Sequence, residues 1–415
     1  MQNFLKGRLI LVRLGLLSAV LVLVAAGIAT VYAVGHPEQA GTGAGPGEFA
    51  GLWKKQLVFI ALGFAAFLAV NLVHYRRIGA VSYWLYAAVL VSLVVVLLDR
   101  WVDLPFVPVI NSARRWLRIS VGGRYLQVQP SEICKLAYIL ALAWYLRYRS
   151  NYRSFKSLIG PFCLTLLPMF LILAEPDLGT ALLMMPVLFV MLLVAGAKIK
   201  HLVLIIVMAV VVSPFFWHKM RPYQRTRISS VLLQNDWVRR KAEQSPALGR
   251  LLVGTRFSEK QWKNDWGYHL IRAKFAVASG RMTGYGYRQG PFVKYDFLPE
   301  RHNDFVFAAI AHQWGFLGSL AVLALYALIF ISGLEIAEYN TDPFGRLLAV
   351  GIVAMFTVEV IVNVSMTVGL MPITGLTLPF VSYGGSSLLV SLIAVGLLNN
   401  IGRNRPFSVA RKPFS

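Results

Sequence analysis

The chain has 415 residues, a formal net charge of +23, 57% hydrophobic residues and only 14% charged residues. Soluble domains carry about 25% charged residues, so this composition excludes an ordinary soluble globular protein. The two cysteines, Cys134 and Cys163, lie in apolar stretches and predict neither a disulfide framework nor a cysteine metal site. The excess of basic over acidic residues is explained by membrane topology and by anionic lipid-linked ligands rather than by binding of nucleic acid.

Apolar runs of about 20 residues, the length needed to cross a bilayer, predict about ten spanning helices. The predicted spans are 9–34, 53–73, 79–98, 131–148, 158–174, 179–196, 199–217, 304–332, 347–370 and 386–401. The runs are too continuously apolar for barrel strands, so we predict an all-α integral membrane protein. The first run resembles a signal peptide, but its apolar region is longer than a cleavable one and predicts a retained span.

Basic residues are concentrated in alternate short loops and at the two ends of the chain. By the positive-inside rule, both termini are predicted to be cytoplasmic. The rule does not govern long loops, and two of these, 99–130 and 218–303, are predicted to be extracytoplasmic although basic. The second holds seventeen Lys and Arg residues, which indicate either an anionic ligand at the outer face or headgroup contact and solvation. Its interleaved aromatic residues predict helices lying in the membrane interface.

Asp304 opens an apolar run, which places a carboxylate at the outer mouth of a predicted helix. Two interpretations are equally supported. As a helix N-cap, Asp304 would accept hydrogen bonds from free amides of the first turn. As a half-buried group beside a cavity, it would serve as a general base, because partial desolvation lifts a carboxyl pKa toward working pH.

Other carboxylates at membrane depth also need an explanation, because burying a charge there is costly. Glu132 and Lys135 stand three residues apart on one helix face, which predicts an ion pair. Glu359 lies in the middle of a span and is predicted to face the bundle interior, toward Asn363. Asp177, in a turn before a span, is predicted to cap a helix.

Two polar segments are candidates for substrate binding. Three arginines lie around Trp116, namely Arg114, Arg115 and Arg118. They suit a pyrophosphate clamp, because the guanidinium fork matches phosphate oxygens. The alternative is that they anchor the loop at the membrane interface. Segment 371–385 has little charge but many Gly, Pro, Ser and Thr residues. Irregular backbone at membrane depth is tolerated where it lines a cavity, so we predict a re-entrant segment that contributes to the site. Its candidate residues are Ser382, Tyr383, Gly384 and Gly385, together with Ser386, which follows the segment.

These segments resemble the SEDS family (shape, elongation, division and sporulation) of membrane glycosyltransferases that polymerise peptidoglycan. The matching stretches follow the family order and are Arg114-Arg115-Trp116-Leu117, Gln129-Pro130-Ser131-Glu132 with Lys135, Glu175-Pro176-Asp177-Leu178-Gly179-Thr180, Leu298-Pro299-Glu300 with Asp304-Phe305, and residues 372–387. Within the family the chain is more similar to the RodA branch than to the FtsW branch. Asn303, His312, Gln313 and Thr377 depart from the family pattern.

The resemblance implies that Asp304 is the catalytic carboxylate and that Glu132 and Lys135 form a structural pair coupling activity to a partner. The implied partner is a class B penicillin-binding protein, a transpeptidase. The implied substrate is lipid II, the undecaprenyl-pyrophosphate-linked disaccharide peptide. It would be used by an inverting hexosyltransferase at the outer face of the bacterial inner membrane, assisted by Mg²⁺ or Mn²⁺. The alternatives are a flippase for the same precursor and the division-specific polymerase of the FtsW type.

Overall fold

A computed structural model describes residues 2–36, 51–110, 113–121, 124–148, 154–295, 297 and 302–404. Eight helices precede the longest loop: α1 (Gln2–Gly35), α2 (Leu52–Leu72), α3 (Tyr75–Ala80), α4 (Ser82–Leu98), α5 (Pro130–Leu146), α6 (Ile159–Ala174), α7 (Leu178–Val194) and α8 (Ile199–Lys219). Six lie within that loop: α9 (Pro222–Ser229), α10 (Asp236–Gln244), α11 (Pro246–Val253), α12 (Glu259–Asn264), α13 (Trp266–Ser279) and α14 (Pro291–Lys294). The chain then forms α15 (Val306–Tyr339), α16 (Pro343–Thr367) and α17 (Gly385–Arg403).

Seven of the described helices are long and apolar enough to cross a membrane: α1, α2, α6 with the turn before it, α8, α15, α16 and α17. Helices α4 and α7 are apolar but shorter, and α5 has 17 residues, two of them charged. These ten helices correspond to the ten predicted spans, and the prediction of an all-α membrane bundle is confirmed. Several boundaries differ by a few residues: α15 begins at Val306 and continues to Tyr339, and α16 begins at Pro343 and ends at Thr367.

The spanning helices divide into a central and a peripheral group. Of the most apolar 18-residue stretch in each helix, 72% is buried within the protein in α16 and 78% in α17, but only 6% in α8. Helix α5 is also buried on nearly every face and packs against both α16 and α17. A helix that is apolar all round and buried belongs to the core, whereas an exposed apolar helix such as α8 needs lipid around it. The charged groups of α5 and α16 therefore lie in the centre of the bundle.

Helix α15 is broken at Gly315, whose φ of 64° and ψ of −160° are not helical. The break frees backbone amides, and the segment before α14 binds them: Phe316 N donates to Arg281 O at 2.8 Å and Leu317 N to Met282 O at 3.1 Å. A Cβ at position 315 would lie 2.6 Å from the Met282 backbone, so the approach requires glycine. The break thereby ties the long loop to the bundle.

The segment between α4 and α5 contains two antiparallel hairpins, where the sequence predicted only a loop. Strands β1 (Val109–Ile110) and β2 (Ala113–Arg114) form the first, and β3 (Leu117–Val121) and β4 (Arg124–Val128) form the second. The second hairpin pairs Leu117 with Val128 and Val121 with Arg124. We call the end of the bundle that carries these hairpins and α9–α14 the loop end.

Helices α10–α13 enclose a small core of their own around Leu233, Phe257 and Trp262. Trp262 is therefore not an interfacial residue, whereas the Trp237 side chain is 64% exposed. Residues 371–384 form neither helix nor strand, yet Leu378, Phe380 and Ser382 are buried. Their irregular backbone is enclosed by protein, as predicted.

Candidate active site

Asp304 lies immediately before the start of α15, at the loop end, and is half-buried. Its backbone carbonyl accepts a hydrogen bond of 3.0 Å from Asn363 Nδ2, which also donates to Leu376 O at 2.6 Å. The residue at the capping position of α15 is Phe305, whose side chain makes no capping hydrogen bond. Asp304 stands one residue before that position. Its backbone is held by α16.

Segment 371–385 fixes the residues that precede Asp304. Ser382 Oγ donates to Asn303 O at 2.7 Å and accepts a bond of 2.8 Å from Leu378 N. Tyr383 N donates to His302 O at 2.8 Å. Ser382 and Tyr383, predicted as substrate-binding residues, thus position the approach to α15. The segment makes these contacts through a turn, in which Val381 N and Ser382 N both donate to Leu378 O.

The space over the Asp304 carboxylate is kept open by Gly375. This glycine has a φ of +78°, a conformation that side chains disfavour. A Cβ at position 375 would lie 3.5 Å from Asp304 Oδ2. Gly375 is itself exposed, so a ligand can approach the carboxylate from this side.

Two arginines share the electrostatic environment of Asp304. Burial, followed by the neighbouring Arg115, lowers the pKa of the Arg227 side chain, while Asp304 acts in the opposite direction. Arg227 lies on α9, and Arg115 follows β2 and donates to Pro176 O at 2.8 Å. An arginine remains charged in a protein, so Arg227 and Arg115 are two interacting cations in the same region as the carboxylates of Asp304 and Asp177. Sequence reasoning missed Arg227, because it was one of seventeen basic residues in a single loop.

Asp177 caps α7 as predicted, with Oδ1 accepting from Thr180 N at 3.2 Å. Its Oδ2 accepts from Ser131 Oγ at 2.8 Å, Thr180 Oγ1 at 2.9 Å and Gln129 Nε2 at 3.2 Å. Gln129 N in turn donates to Ser386 Oγ at 3.0 Å. Asp177 also acts electrostatically on Arg227. This network joins the starts of α5, α7 and α17, so Ser386 belongs to the frame of the site.

The three arginines predicted as a clamp have different surroundings in the structure. Arg114 Nη1 forms ion pairs of 2.8 Å with Asp99 Oδ2 and 2.9 Å with Asp103 Oδ1. Arg118 lines a cavity of about 550 Å³ with apolar residues of α4. Of the three, Arg115 is the one whose charge acts on Arg227, beside Asp304. Gly384 and Gly385 lead into α17, and Phe59 packs closely against Gly385.

The predicted Glu132–Lys135 pair is confirmed, with Lys135 Nζ 2.7 Å from Glu132 Oε2. Lys135 Nζ also lies 2.5 Å from Glu359 Oε1. The prediction that Glu359 faces the interior is correct, but its contact is Lys135 rather than Asn363. All three side chains are buried, and one ammonium between two carboxylates lowers the cost of burying each.

Within the ranges that the structure describes, no group of three or more His, Cys, Asp or Glu side chains is arranged to hold a metal ion. Asp177 already accepts hydrogen bonds on both oxygens. Mg²⁺ is commonly held by one or two carboxylates together with substrate phosphates, and Asp304 fits the protein part of such a site.

The comparisons with known proteins agree with this architecture. A family model described as "cell cycle protein", of the FtsW, RodA and SpoVE type, matches residues 14–406. The chain therefore belongs to the FtsW/RodA/SpoVE family, as its motifs predicted. The family model extends over nearly the whole bundle and includes every candidate residue named above.

Individual relatives carry more specific names. The chain is 31% identical to the peptidoglycan glycosyltransferase RodA of Treponema pallidum, covering 84% of this chain and 89% of the relative. It is 32% identical to the peptidoglycan glycosyltransferase MrdB of Escherichia coli K12, covering 86% and 88%. A solved chain from a peptidoglycan synthase complex that coordinates polymerisation and crosslinking superposes with a TM-score of 0.71 at 30% identity, covering 94% of this chain and 97% of that chain.

Proposed function

We propose that this protein is a peptidoglycan glycosyltransferase that polymerises lipid II into glycan strands, with Asp304 as its general base. The observation that carries the proposal is the half-buried carboxylate of Asp304, open on the side of Gly375 and interacting electrostatically with Arg227, whose charge also interacts with that of Arg115. A base next to an anion-binding pair is what transfer of a sugar from a pyrophosphate requires. The names of the relatives support the same reaction.

In the proposed reaction, the 4-hydroxyl oxygen of the acceptor sugar attacks the anomeric carbon of the donor sugar. The new glycosidic bond forms as the bond from that carbon to the pyrophosphate oxygen breaks, which inverts the configuration. The hydroxyl proton passes to the Asp304 carboxylate and then to solvent. Removal of this proton in the transition state contributes about 10²–10⁴-fold to the rate. A single displacement needs no second nucleophile.

The departing undecaprenyl pyrophosphate carries away the bonding electron pair, and its charge is stabilised by Arg227 and Arg115. Arginine suits this role because its fork makes two parallel hydrogen bonds to phosphate oxygens. A divalent cation held by Asp304 and the pyrophosphate would supply further charge neutralisation there. Fixed cations in a partly buried site stabilise developing charge more strongly than water does.

The proposal places both termini in the cytoplasm and the loop end outside the cytoplasmic membrane. The distribution of Lys and Arg among the short loops supports this orientation. It also brings the active site to the compartment in which a class B penicillin-binding protein would crosslink the strands. The similarity to a chain from a synthase complex supports such a partner.

A flippase for lipid II is the alternative from another class. Transport needs polar groups along a path through the membrane, and the buried charged groups of α5 and α16 are Glu132, Lys135 and Glu359. These three bind one another in the centre of the bundle, with Lys135 only 2% exposed. They do not line an open path, which favours the polymerase.

The deciding experiment incubates purified lipid II with the wild type and its co-purified transpeptidase and measures glycan strands on a gel. A parallel assay measures translocation of fluorescent lipid II in liposomes. We expect polymer from the wild type and no translocation above empty liposomes. Translocation without polymer, abolished by Glu359→Gln, would establish the transporter instead.

We assign the polymerase to elongation and rod shape, since relatives named RodA and MrdB are among the most similar. Relatives named FtsW match at 31% to 32% identity, so a division role is the competing assignment. Expression in strains depleted of either polymerase separates the two. We expect rescue of rod shape and no rescue of septation.

A further inference from the structure

Helix α10 presents one exposed face that combines an aromatic ring with cations. Trp237, Arg240, Lys241 and Gln244 follow the i, i+3, i+4, i+7 spacing of a single helical stripe, and all four are exposed. The Lys241 ammonium lies 4.1 Å from the centre of the Trp237 ring. A tryptophan beside lysine and arginine is the composition found where helices lie on membranes.

The opposite face of α10 is packed against α12. Arg239 Nε donates to Glu259 Oε1 at 2.9 Å, and its guanidinium lies 5.4 Å from the ring of Trp262. Ala242 is buried in the same small core. These contacts fix which side of α10 points away from the protein, so the Trp237 face is held outward.

Helix α11 continues this surface and is attached to a membrane span. Its exposed residues Ala247, Arg250 and Leu251 have the same helical spacing. Trp217, near the end of α8, donates from Nε1 to Leu251 O at 2.8 Å. Helix α8 is the least buried of the spanning helices, so its sides contact lipid. The bond places the exposed face of α11 at the level where α8 leaves the bilayer.

We propose that α10 and α11 form a docking surface for the lipid leaflet at the loop end, with Trp237 and Leu251 inserted among lipid headgroups and Arg240, Lys241 and Arg250 contacting anionic ones. We call this set of five residues the lipid-facing surface. Three cations and no carboxylate lie in it, which gives the charge complementarity that anionic headgroups require. The inference goes beyond the proposed reaction, because it concerns how the loop is held on the membrane.

The surface has a direct connection to the candidate active site. Ser229 Oγ, at the end of α9, donates to Leu252 O of α11 at 2.7 Å. Arg227 lies two residues earlier on the same helix. Seating α11 on the leaflet therefore sets the depth at which Arg227 meets a lipid-linked pyrophosphate.

The first test measures membrane depth at Ala247, an exposed residue of α11 next to the lipid-facing surface. The full-length protein carries Cys163→Ala to remove the exposed native thiol, with Ala247→Cys bearing a nitroxide, and is reconstituted into nanodiscs of phosphatidylcholine with phosphatidylglycerol. Asn264→Cys, exposed on α12, is the matched control. Oxygen concentrates in lipid and a nickel chelate stays in water. We expect the label at position 247 to be accessible to oxygen and protected from nickel, and the label at position 264 to show the reverse.

The second test measures lipid selectivity with a fluorophore at position 247 and quenching by nitroxide-labelled lipids. Phosphatidylglycerol should quench more strongly than phosphatidylcholine, and Arg240→Gln with Lys241→Gln should reduce this preference by about fivefold per basic residue lost. Arg256→Gln with Lys260→Gln, which removes two exposed cations outside the surface, should leave it unchanged. Both measurements are independent of polymerisation, so they remain informative if the proposed function fails.

Equal nickel access at positions 247 and 264 would overturn the proposal. Protection of position 247 that arises only when a transpeptidase is bound would also overturn it, and would make the surface a protein interface. Quenching without preference for phosphatidylglycerol would refute the role of the cations.

Discussion

Lys135 on α5 and Glu359 on α16 form an ion pair of 2.5 Å in the centre of the membrane bundle, 224 residues apart in sequence. Glu132 lies 2.7 Å from the same ammonium. The group has two carboxylates and one cation, and this imbalance predicts unequal effects of removing its members. The pair also joins α5 to α16, the helix that holds the backbone of Asp304 through Asn363.

Replacing Lys135 should destabilise the fold more than replacing Glu359. Lys135→Met leaves two buried carboxylates facing each other, and breaking a buried pair in this way costs about 3–5 kcal/mol. Glu359→Gln leaves the Glu132–Lys135 pair intact and should cost less. Thermal unfolding in detergent measures the order, with Glu338→Gln, an exposed change on α15, as the control. Equal stability of the Lys135→Met variant and the wild type would be incompatible with this account.

Arg227 and Arg114 should respond differently to the same substitution. Arg227→Gln removes a cation beside Asp304 and should lower glycan-strand formation by about 10²-fold, the loss typical of a transition-state donor. Arg114→Gln should have a small effect, because that side chain binds Asp99 and Asp103. Lys260→Gln, an exposed change in the same loop, is the control. A loss with Arg114→Gln as large as that with Arg227→Gln would show that the anion site lies at the hairpins.

Gly375→Ala should impair activity without a matching loss of stability. The substitution places a methyl group 3.5 Å from Asp304 Oδ2 and imposes strain of about 1–2 kcal/mol at a φ of +78°. Gly196→Ala is a matched control, since φ there is +90° and a Cβ meets nothing within 4 Å. Both variants should lose similar stability in thermal unfolding. Only Gly375→Ala should reduce polymerisation, and a similar reduction with Gly196→Ala would attribute the effect to strain.

Glu175 should make the protein less stable as pH rises. Burial, and then the neighbouring Asp177, raise its pKa from 4.5 to about 9, against the opposing effect of Arg115 and Arg100. Between these two pH values the unfolded chain has released the proton that the folded protein retains, so unfolding is increasingly favoured. The stability present below pH 4.5 is lost progressively up to about pH 9.

Thermal unfolding at pH 6 and pH 8.5 tests this, because Glu175→Gln removes the titrating proton. The melting temperature of the variant should change less with pH than that of the wild type. Its stability relative to the wild type should be greater at pH 8.5 than at pH 6. A variant that loses more stability than the wild type at pH 8.5 would mean that Glu175 is ionised and bound there.

Local sequence patterns were sufficient for the helices and for contacts within one turn. The apolar runs predicted the spanning helices, and the three-residue spacing predicted Glu132–Lys135, because both depend on neighbours along the chain. Pairing of Glu359 with Lys135 depends on how α16 packs against α5. The hairpins were missed although Leu117–Val121 alternates apolar and polar residues, because an alternation over five positions in a loop between two spans is a weak signal.

The site was predicted only in part, because some of its residues are recognisable from their neighbours along the chain and others are brought together by packing. Asp304 was recognisable because a carboxylate at the start of an apolar run is unusual, whereas Arg227 stood among sixteen other basic residues of its loop. Its position beside Asp304 results from the fold of α9–α13 onto the bundle. The role of Ser382, which holds Asn303, likewise depends on the path of an irregular segment that no periodicity describes.

The most direct test of the central claim is glycan-strand formation from purified lipid II by the wild type, Asp304→Asn and Asp265→Asn, each with the co-purified transpeptidase and with folding checked by thermal unfolding. Asn keeps the shape of Asp304 but cannot accept the proton, so we expect polymer from the wild type and Asp265→Asn and none from folded Asp304→Asn. Polymer from folded Asp304→Asn at the wild-type rate would contradict the assignment of Asp304 as the base.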